Sequence, residues 1–399
     1  MKKHLFMALG SVAATLCVAG CCGSTPRDPY FDATVKHVDF GGEKFSYSNI
    51  SAQAKSFDNT IKDISRFASD DPAVQNFVLV MGRMLDMTSF KGAAQSSVKM
   101  PQGIYVYKSF ALTDENTKSV LSGKAVQSAK LDAIMKSLPA DTRLAVYGNI
   151  NSAYIWQRLD EEIAASGDKM MIQAWKNLQV KAKAKGVDLD NLAASVSGPM
   201  LLVVTGNSPF DLKIFVAVND KDGVLSALLN KKYPPKAGES AHPIKSLAST
   251  LPKAQLVYGD GCIMFVSDPA IMKKPEKMLG DTPRYRKYAA YLPTEGTGFV
   301  ILNLSKKFTA TVNAFIPPQY GKLKPACLIA VDTAAEDGVG CVAVSNFSIP
   351  ASCAKLSEKM VKFALISAKE TQPKENVAEQ PQAKAPEQPK EKAPEQPAK

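Results

Sequence analysis

The chain reads as an α+β protein: tandem duplicated units of antiparallel strand pairs, with helices packed on one face, preceded by a helical hairpin. Three observations predict this. Short apolar runs come in pairs joined by turn residues, as in 328–332 and 339–345, linked through Asp337-Gly338. Between such pairs lie stretches whose apolar residues recur three and four apart, such as Ala54, Phe57, Ile61, Ile64 and Ala68, which share one helix face. Finally, Leu138-Pro139-Ala140-Asp141 precedes a strand ending Val146-Tyr147-Gly148-Asn149-Ile150, and 154 residues later Leu292-Pro293-Thr294-Glu295 precedes Val300-Ile301-Leu302-Asn303-Leu304. Antiparallel sheets with segregated helices are the layered solution that suits this pattern.

At the start, Lys2 and Lys3 supply positive charge, and the fourteen residues from Leu5 to Val18 form an apolar run. A helix of that length covers about 21 Å at about 1.5 Å per residue. The hydrocarbon core is about 30 Å thick, so residues 1–20 are expected to be a cleaved signal and not a membrane span. The run ends in Val18-Ala19-Gly20-Cys21, which resembles the lipobox of bacterial lipoproteins. That resemblance implies that Val18, Ala19 and Gly20 are read by the signal peptidase and that the thiol of Cys21 receives a diacylglycerol. The expected partner is therefore a membrane, reached through the lipid anchor; two acyl chains suffice for stable attachment, each buried CH₂ giving about 0.8 kcal/mol. Cys17 fits the pattern poorly behind bulky Leu16. In that family an Asp after the lipidated Cys retains the protein at the inner membrane; Cys22 stands there instead, which implies the outer membrane and a body in the periplasm.

Residues 21–37, with Pro26 and Pro29, read as a tether. An N-terminal α+β unit is expected over 38–137. It begins with a strand near 45–48 and continues into the helix through Ala54. Asp71-Pro72 then caps a second helix with Val74, Phe77, Val78, Met81 and Leu85 as its buried stripe. Strands 89–98 and 104–112 follow, with Ile104, Val106, Phe110 and Leu112 on one face and Tyr105 and Tyr107 on the other. Residues 131–137 read as a helix.

Repeat unit 1 is expected over 138–290 and repeat unit 2 over 291–369. In each, the strand after Leu-Pro leads into a helix, through Trp156, Leu159 and Ile163 or through Phe308, Val312 and Phe315. A strand pair and a helix follow: 201–205, 212–218 and 224–229 in the first, 328–332, 339–345 and a closing helix through Leu356, Met360 and Phe363 in the second. Unit 1 also holds an extra basic helix with Met171, Ala174, Trp175, Leu178 and Ala182 on its apolar side. It ends with a linking strand pair, 255–258 and 262–267, and a helix near 271–279. This layout, with Gly92-Ala93-Ala94-Gln95-Ser96-Ser97, is similar to a group of exported bacterial proteins of uncharacterised activity; the resemblance implies no reaction. Residues 370–399 repeat Lys-Ala-Pro-Glu-Gln-Pro and contain almost nothing apolar, which predicts a disordered tail.

Lys and Arg number 49 against 38 Asp and Glu, a net charge of +11 that falls to +9 without Lys2 and Lys3. For an exported chain this favours an anionic envelope polymer or envelope protein as a further partner and disfavours nucleic acid. Cys262, Cys327, Cys341 and Cys353 could pair in an oxidising envelope, or serve as small apolar residues in their strands. After cleavage His37 and His242 are the remaining histidines, and neither belongs to a nucleophile or zinc motif. Asp188-Leu189-Asp190 and Asp220-Lys221-Asp222-Gly223 lack the rest of a calcium loop and suit caps and turns. No phosphate loop, dinucleotide fingerprint or other cofactor motif is present. Asp141 and Glu295 hold matching repeat positions and are the tempting carboxylate pair for a hydrolase, although turn formation suits them better; Tyr147, Tyr154 and Trp156 suit packing better than a sugar platform. The expected protein is thus a lipid-anchored envelope protein with a binding or scaffolding role and no catalysis. The alternatives are an envelope hydrolase using carboxylates, which needs two of them converging about 5–10 Å apart, and a carrier with an apolar pocket.

Overall fold

A computed structural model of the chain describes residues 28–122, 125–236, 238–247, 249–316, 322–350 and 352. The signal segment, Val18, Ala19, Gly20, Cys21, the closing helix and the tail lie outside the described residues. Alternating strands and helices give the α+β architecture the patterning predicts. Twelve strands form one antiparallel sheet. In chain order these are β1 (Lys44–Asn49), β2 (Phe90–Met100), β3 (Ile104–Thr113), β5 (Thr142–Ile150), β6 (Gly198–Thr205), β7 (Lys213–Asn219), β8 (Ala241–Pro243), β9 (Gln255–Gly259), β10 (Cys262–Val266), β12 (Gly298–Leu304), β13 (Ala326–Ala335) and β14 (Gly338–Ser345). Two further short strands, β4 (Ala129–Lys130) and β11 (Glu295–Gly296), pair with each other. The helices are α1 (Phe31–Val35), α2 (Ser51–Ala68), α3 (Pro72–Met84), α4 (Leu131–Ser137), α5 (Ser152–Ala165), α6 (Lys169–Ala184), α7 (Leu189–Ser195), α8 (Val224–Lys232), α9 (Pro283–Ala289) and α10 (Lys306–Asn313).

The spatial order is β1-β2-β3-β14-β13-β12-β5-β6-β7-β10-β9-β8. At its centre Val146 pairs with Val300, and these two residues are also counterparts in the Leu-Pro repeat. The register steps outward evenly from there, Leu144 opposite Leu302 and Gly148 opposite Gly298. Every other strand then has a twin equally far from the centre: β6 and β13, β7 and β14, β10 and β3, β9 and β2, β8 and β1. Twin residues can share a task. Asn219 donates to the carbonyls of Ser195 and Ser197, and its twin Asn346 donates to that of Pro325 while accepting from the Cys327 N–H. The correspondence takes in β1–β3, expected as a separate unit, and β9–β10, expected as a link. It also exchanges strands, since β3 pairs with β14 and β10 with β7.

On one face, α4 and α9 press Leu131, Met135, Tyr285 and Tyr288 onto Ala145, Tyr147, Phe299, Ile301, Ile329 and Val344. Both helices stand just before their Leu-Pro turns and bury the same side of the sheet. Beyond them α1 sets Val35 against Ala94, Phe110 and Leu112. At the β1–β3 end the opposite face is covered as well, because Phe57 of α2 packs with Phe90, Ala93, Ala111 and Val339. Helices therefore lie on both faces there.

Several local readings need correction. Residues 28–37 are not tether: the Asp28 carboxylate accepts from Tyr47 Oη at 2.7 Å and Asn49 Nδ2 at 2.5 Å, tying α1 to β1. Helix α3 buries Val80 and Met84, while Phe77 and Met81 of the expected stripe are exposed, because α3 lies between α2 and α5 and is apolar on more than one side. In α6, Met171, Ile172 and Trp175 face inward, but Leu178 is exposed. Residues 271–279 hold short 3₁₀ turns around Lys273-Lys274-Pro275, and the helix before the second Leu-Pro is α9. Phe315 lies beyond α10 and is exposed.

The segment Gly92-x-x-x-Ser96-Ser97 is where the N-terminal residues dock. A Cβ on Gly92 would lie 2.5 Å from Thr34 Oγ1, and Ser96 Oγ accepts from the Asp39 N–H. Gly92→Ala is expected to destabilise the protein by about 1–3 kcal/mol through overpacking, and hydrogen exchange should show residues 28–38 opening first.

Candidate functional site

A row of cross-strand partners crosses five strands of the sheet: Asp332 on β13, Cys341 on β14, Ser109 on β3, Gln95 on β2 and Ser46 on β1. Residues directly opposite in an antiparallel pair share a face, so these polar side chains line up on the face away from α4 and α9. They form the floor of a half-open cavity of about 500 Å³. Tyr107, one step along β3, donates to Gln95 Oε1 at 2.8 Å. The opposite wall is apolar, formed by Val120, Leu121 and Val126 of the segment after β3. That segment is fastened to the helices, Val120 N–H to Met84 O and Lys118 O to the Arg158 guanidinium. Arg158 is buried and held by Glu161 and Glu162.

Among the described residues Asp332 is the single charged one lining the cavity. Its side chain is exposed to the cavity, with protein atoms crowding around the carboxylate. This desolvation pushes its acid group up, offset only in part by the Cys341 thiol that donates to it. Burial, and then the neighbouring Asp332, push the Cys341 thiol up in turn, so it stays protonated and unreactive.

The residues expected to carry chemistry do not converge. Asp141 and Glu295 sit just before antiparallel neighbours: β5 starts at Thr142, but β12 starts opposite Gly148, six residues along. That offset alone is about 20 Å at about 3.3 Å per residue, too far for a carboxylate pair. His37 stacks on Phe110 and approaches Asp337 at 3.4 Å, whereas His242 lies on β8 at the other end of the sheet, near Pro234 O. Cys262, Cys327 and Cys341 are free thiols, and the sheet separates buried Cys327 from Cys341 on the other face; Cys353 lies outside the described residues. Tyr147 stacks on Phe299 in the core, and the Trp156 and Trp175 rings meet at 4.8 Å with their N–H groups on Asp190 and Asp160, which is helix packing. Asp188 caps α7, and Asp220 is buried at the start of α8. Among the described residues no helix is long and apolar enough to cross a membrane, and no group of three or more His, Cys, Asp or Glu side chains could hold a metal ion.

Asp332, Cys341, Ser109, Gln95 and Tyr107 were missed because they are scattered over four strands. One signal was available, since strand alternation puts Asp332 on the same side as Leu328 and Ala330, an ionisable group closing an apolar row. Comparison of the chain with protein families, with curated proteins and with solved structures gives no match in any of the three.

Proposed function

We propose that the chain is a lipid-anchored cell-envelope protein whose folded body binds a ligand in the cavity over β1–β3 and β13–β14 and catalyses no reaction. The observation that carries this reading is the cavity itself: about 500 Å³, mostly apolar, with a few aligned polar groups, the composition typical of small-molecule sites. It favours the carrier over a pure scaffold. Among the described residues the cavity lining gives the hydrolase reading no second carboxylate. The anchor rests on the lipobox-like Val18, Ala19, Gly20 and Cys21, and the predicted outer-membrane location on Cys22. The twin registers support duplication as the origin of the body. An anionic envelope surface as a further partner is supported by α6, which carries Lys169, Lys176, Lys181 and Lys183 and no acidic residue and exposes Met170 and Val180.

Native mass spectrometry of protein extracted from its own cells tests the binding reading. The expected spectrum shows acyl mass on Cys21 and a further non-covalent adduct that disappears when Ser109→Phe fills the cavity. Extracted protein that never carries an adduct would count against it.

A further inference from the structure

The pseudo-symmetry of the sheet supplies an internal control for the cavity. Under the twin correspondence Asp332, Cys341, Ser109, Gln95 and Ser46 match Val204, Ile214, Ser267, Ala254 and Ile244. Gly298, which precedes Asp332 in the row, matches Leu144. The same backbone register is thus built in the other half with apolar residues at all but one place. Packing and pairing do not call for a carboxylate, a thiol or an amide there; they are particular to the half of the sheet that has the cavity.

We infer that the cavity takes an apolar molecule bearing a cationic amine, with the amine seated on Asp332; this rests on reading the cavity as a ligand site. Among the described residues the lining holds one carboxylate and no Lys, Arg or His, a charge balance that attracts a positive group and repels a fatty acid's carboxylate. Asp332 forms no ion pair among the described residues, and its side-chain partner is a thiol, a weak donor. An ionised carboxylate has about four acceptor sites, and a thiol supplies a donor for at most one of them. An ammonium group fills those sites and cancels the charge. Val120, Leu121, Val126, Ala93 and Ala111 supply the apolar walls for the rest of such a molecule, and the hydroxyls of Ser109 and Tyr107 accept or donate beside its head.

Calorimetric titration of the full-length protein, in one detergent throughout, with 2-phenylethylamine, 2-phenylethanol and 3-phenylpropanoate at neutral pH tests this. The amine should bind at least about tenfold tighter than the alcohol, a difference of about 1.4 kcal/mol, and the carboxylate weakest of the three. Asp332→Val installs the residue its twin position already carries, and it should bring the amine to the alcohol's affinity while leaving the alcohol within about twofold. Asp332→Asn, of the same shape, should do likewise, and unchanged unfolding midpoints show that both variants fold. Equal binding of amine and alcohol by the unaltered protein, or an amine preference that survives both variants, would overturn the inference. Alcohol binding lost in Ser109→Phe, without any amine preference, sinks the amine alone and leaves the cavity reading standing. Alcohol binding that persists in Ser109→Phe, or no binding of any probe, sinks both.

Discussion

Cys21→Ser should move the protein almost completely from the membrane fraction to the soluble fraction. Two acyl chains hold a protein firmly because each buried CH₂ contributes about 0.8 kcal/mol, whereas a single chain is only marginal. Among the described residues no helix is long and apolar enough to cross a bilayer in its place. What remains is the attraction of the α6 lysines for anionic head groups, which salt screens over about 8–10 Å. Any residual membrane-bound Cys21→Ser protein should therefore come off in high salt, while the lipidated protein should stay. Fractionation with and without a salt wash reads both effects, and unchanged sedimentation of the serine variant would overturn the anchored reading.

Asp220→Ala should cost about 3–4 kcal/mol, the range reserved for breaking a buried polar network. Asp220 is 1% exposed and accepts four hydrogen bonds: from Ser195 Oγ at 2.7 Å, from the Leu225 and Ser226 N–H groups at 2.9 and 2.7 Å, and from Ser226 Oγ at 2.5 Å. It ties the end of α7 to the start of α8 from the first residue after β7. Truncation leaves these donors without a partner in a place water reaches poorly. Burial alone would raise this carboxyl, but the Ser226, Ser195 and Leu225 bonds outweigh it and hold it below the ordinary value. The sign of the pH effect follows. The folded state holds the proton less tightly than the unfolded one, so the stabilisation is complete above the unfolded value near 4 and fades as pH falls through the lower folded value. Denaturant unfolding at neutral pH and near pH 3 should show the gap between the two proteins shrinking in acid; a gap that is constant, or that widens in acid, would contradict this account.

Much of the architecture was legible because strands and helices carry local signals. The alternation of Ile104, Val106, Phe110 and Leu112 gave β3 and its buried face, and Asp337-Gly338 gave the β13–β14 turn. Leu-Pro at 138 and 292 pointed to the two strands that meet at the centre of the sheet. Strand exchange was not legible, since no local pattern tells β3 to take β14 as its second partner in place of a strand that follows it more closely in sequence. Helix faces were misread where a helix is packed from two sides, as at Phe77 and Met81 of α3. The cavity escaped for a related reason: Gln95, Ser109, Asp332 and Cys341 become a row only once the register of four strands is known.

The exchange of β3 and β10 also governs how the molecule comes into being. The hairpin β2–β3 finds its partner β14 only after roughly two hundred further residues have been laid down, and contacts of such long span are slow to form because so much loop must close first. Neither half can complete its sheet alone. On the proposed route of export from the N-terminus, the sheet cannot close until β14 has crossed, so acyl transfer to Cys21 could precede completion of the fold.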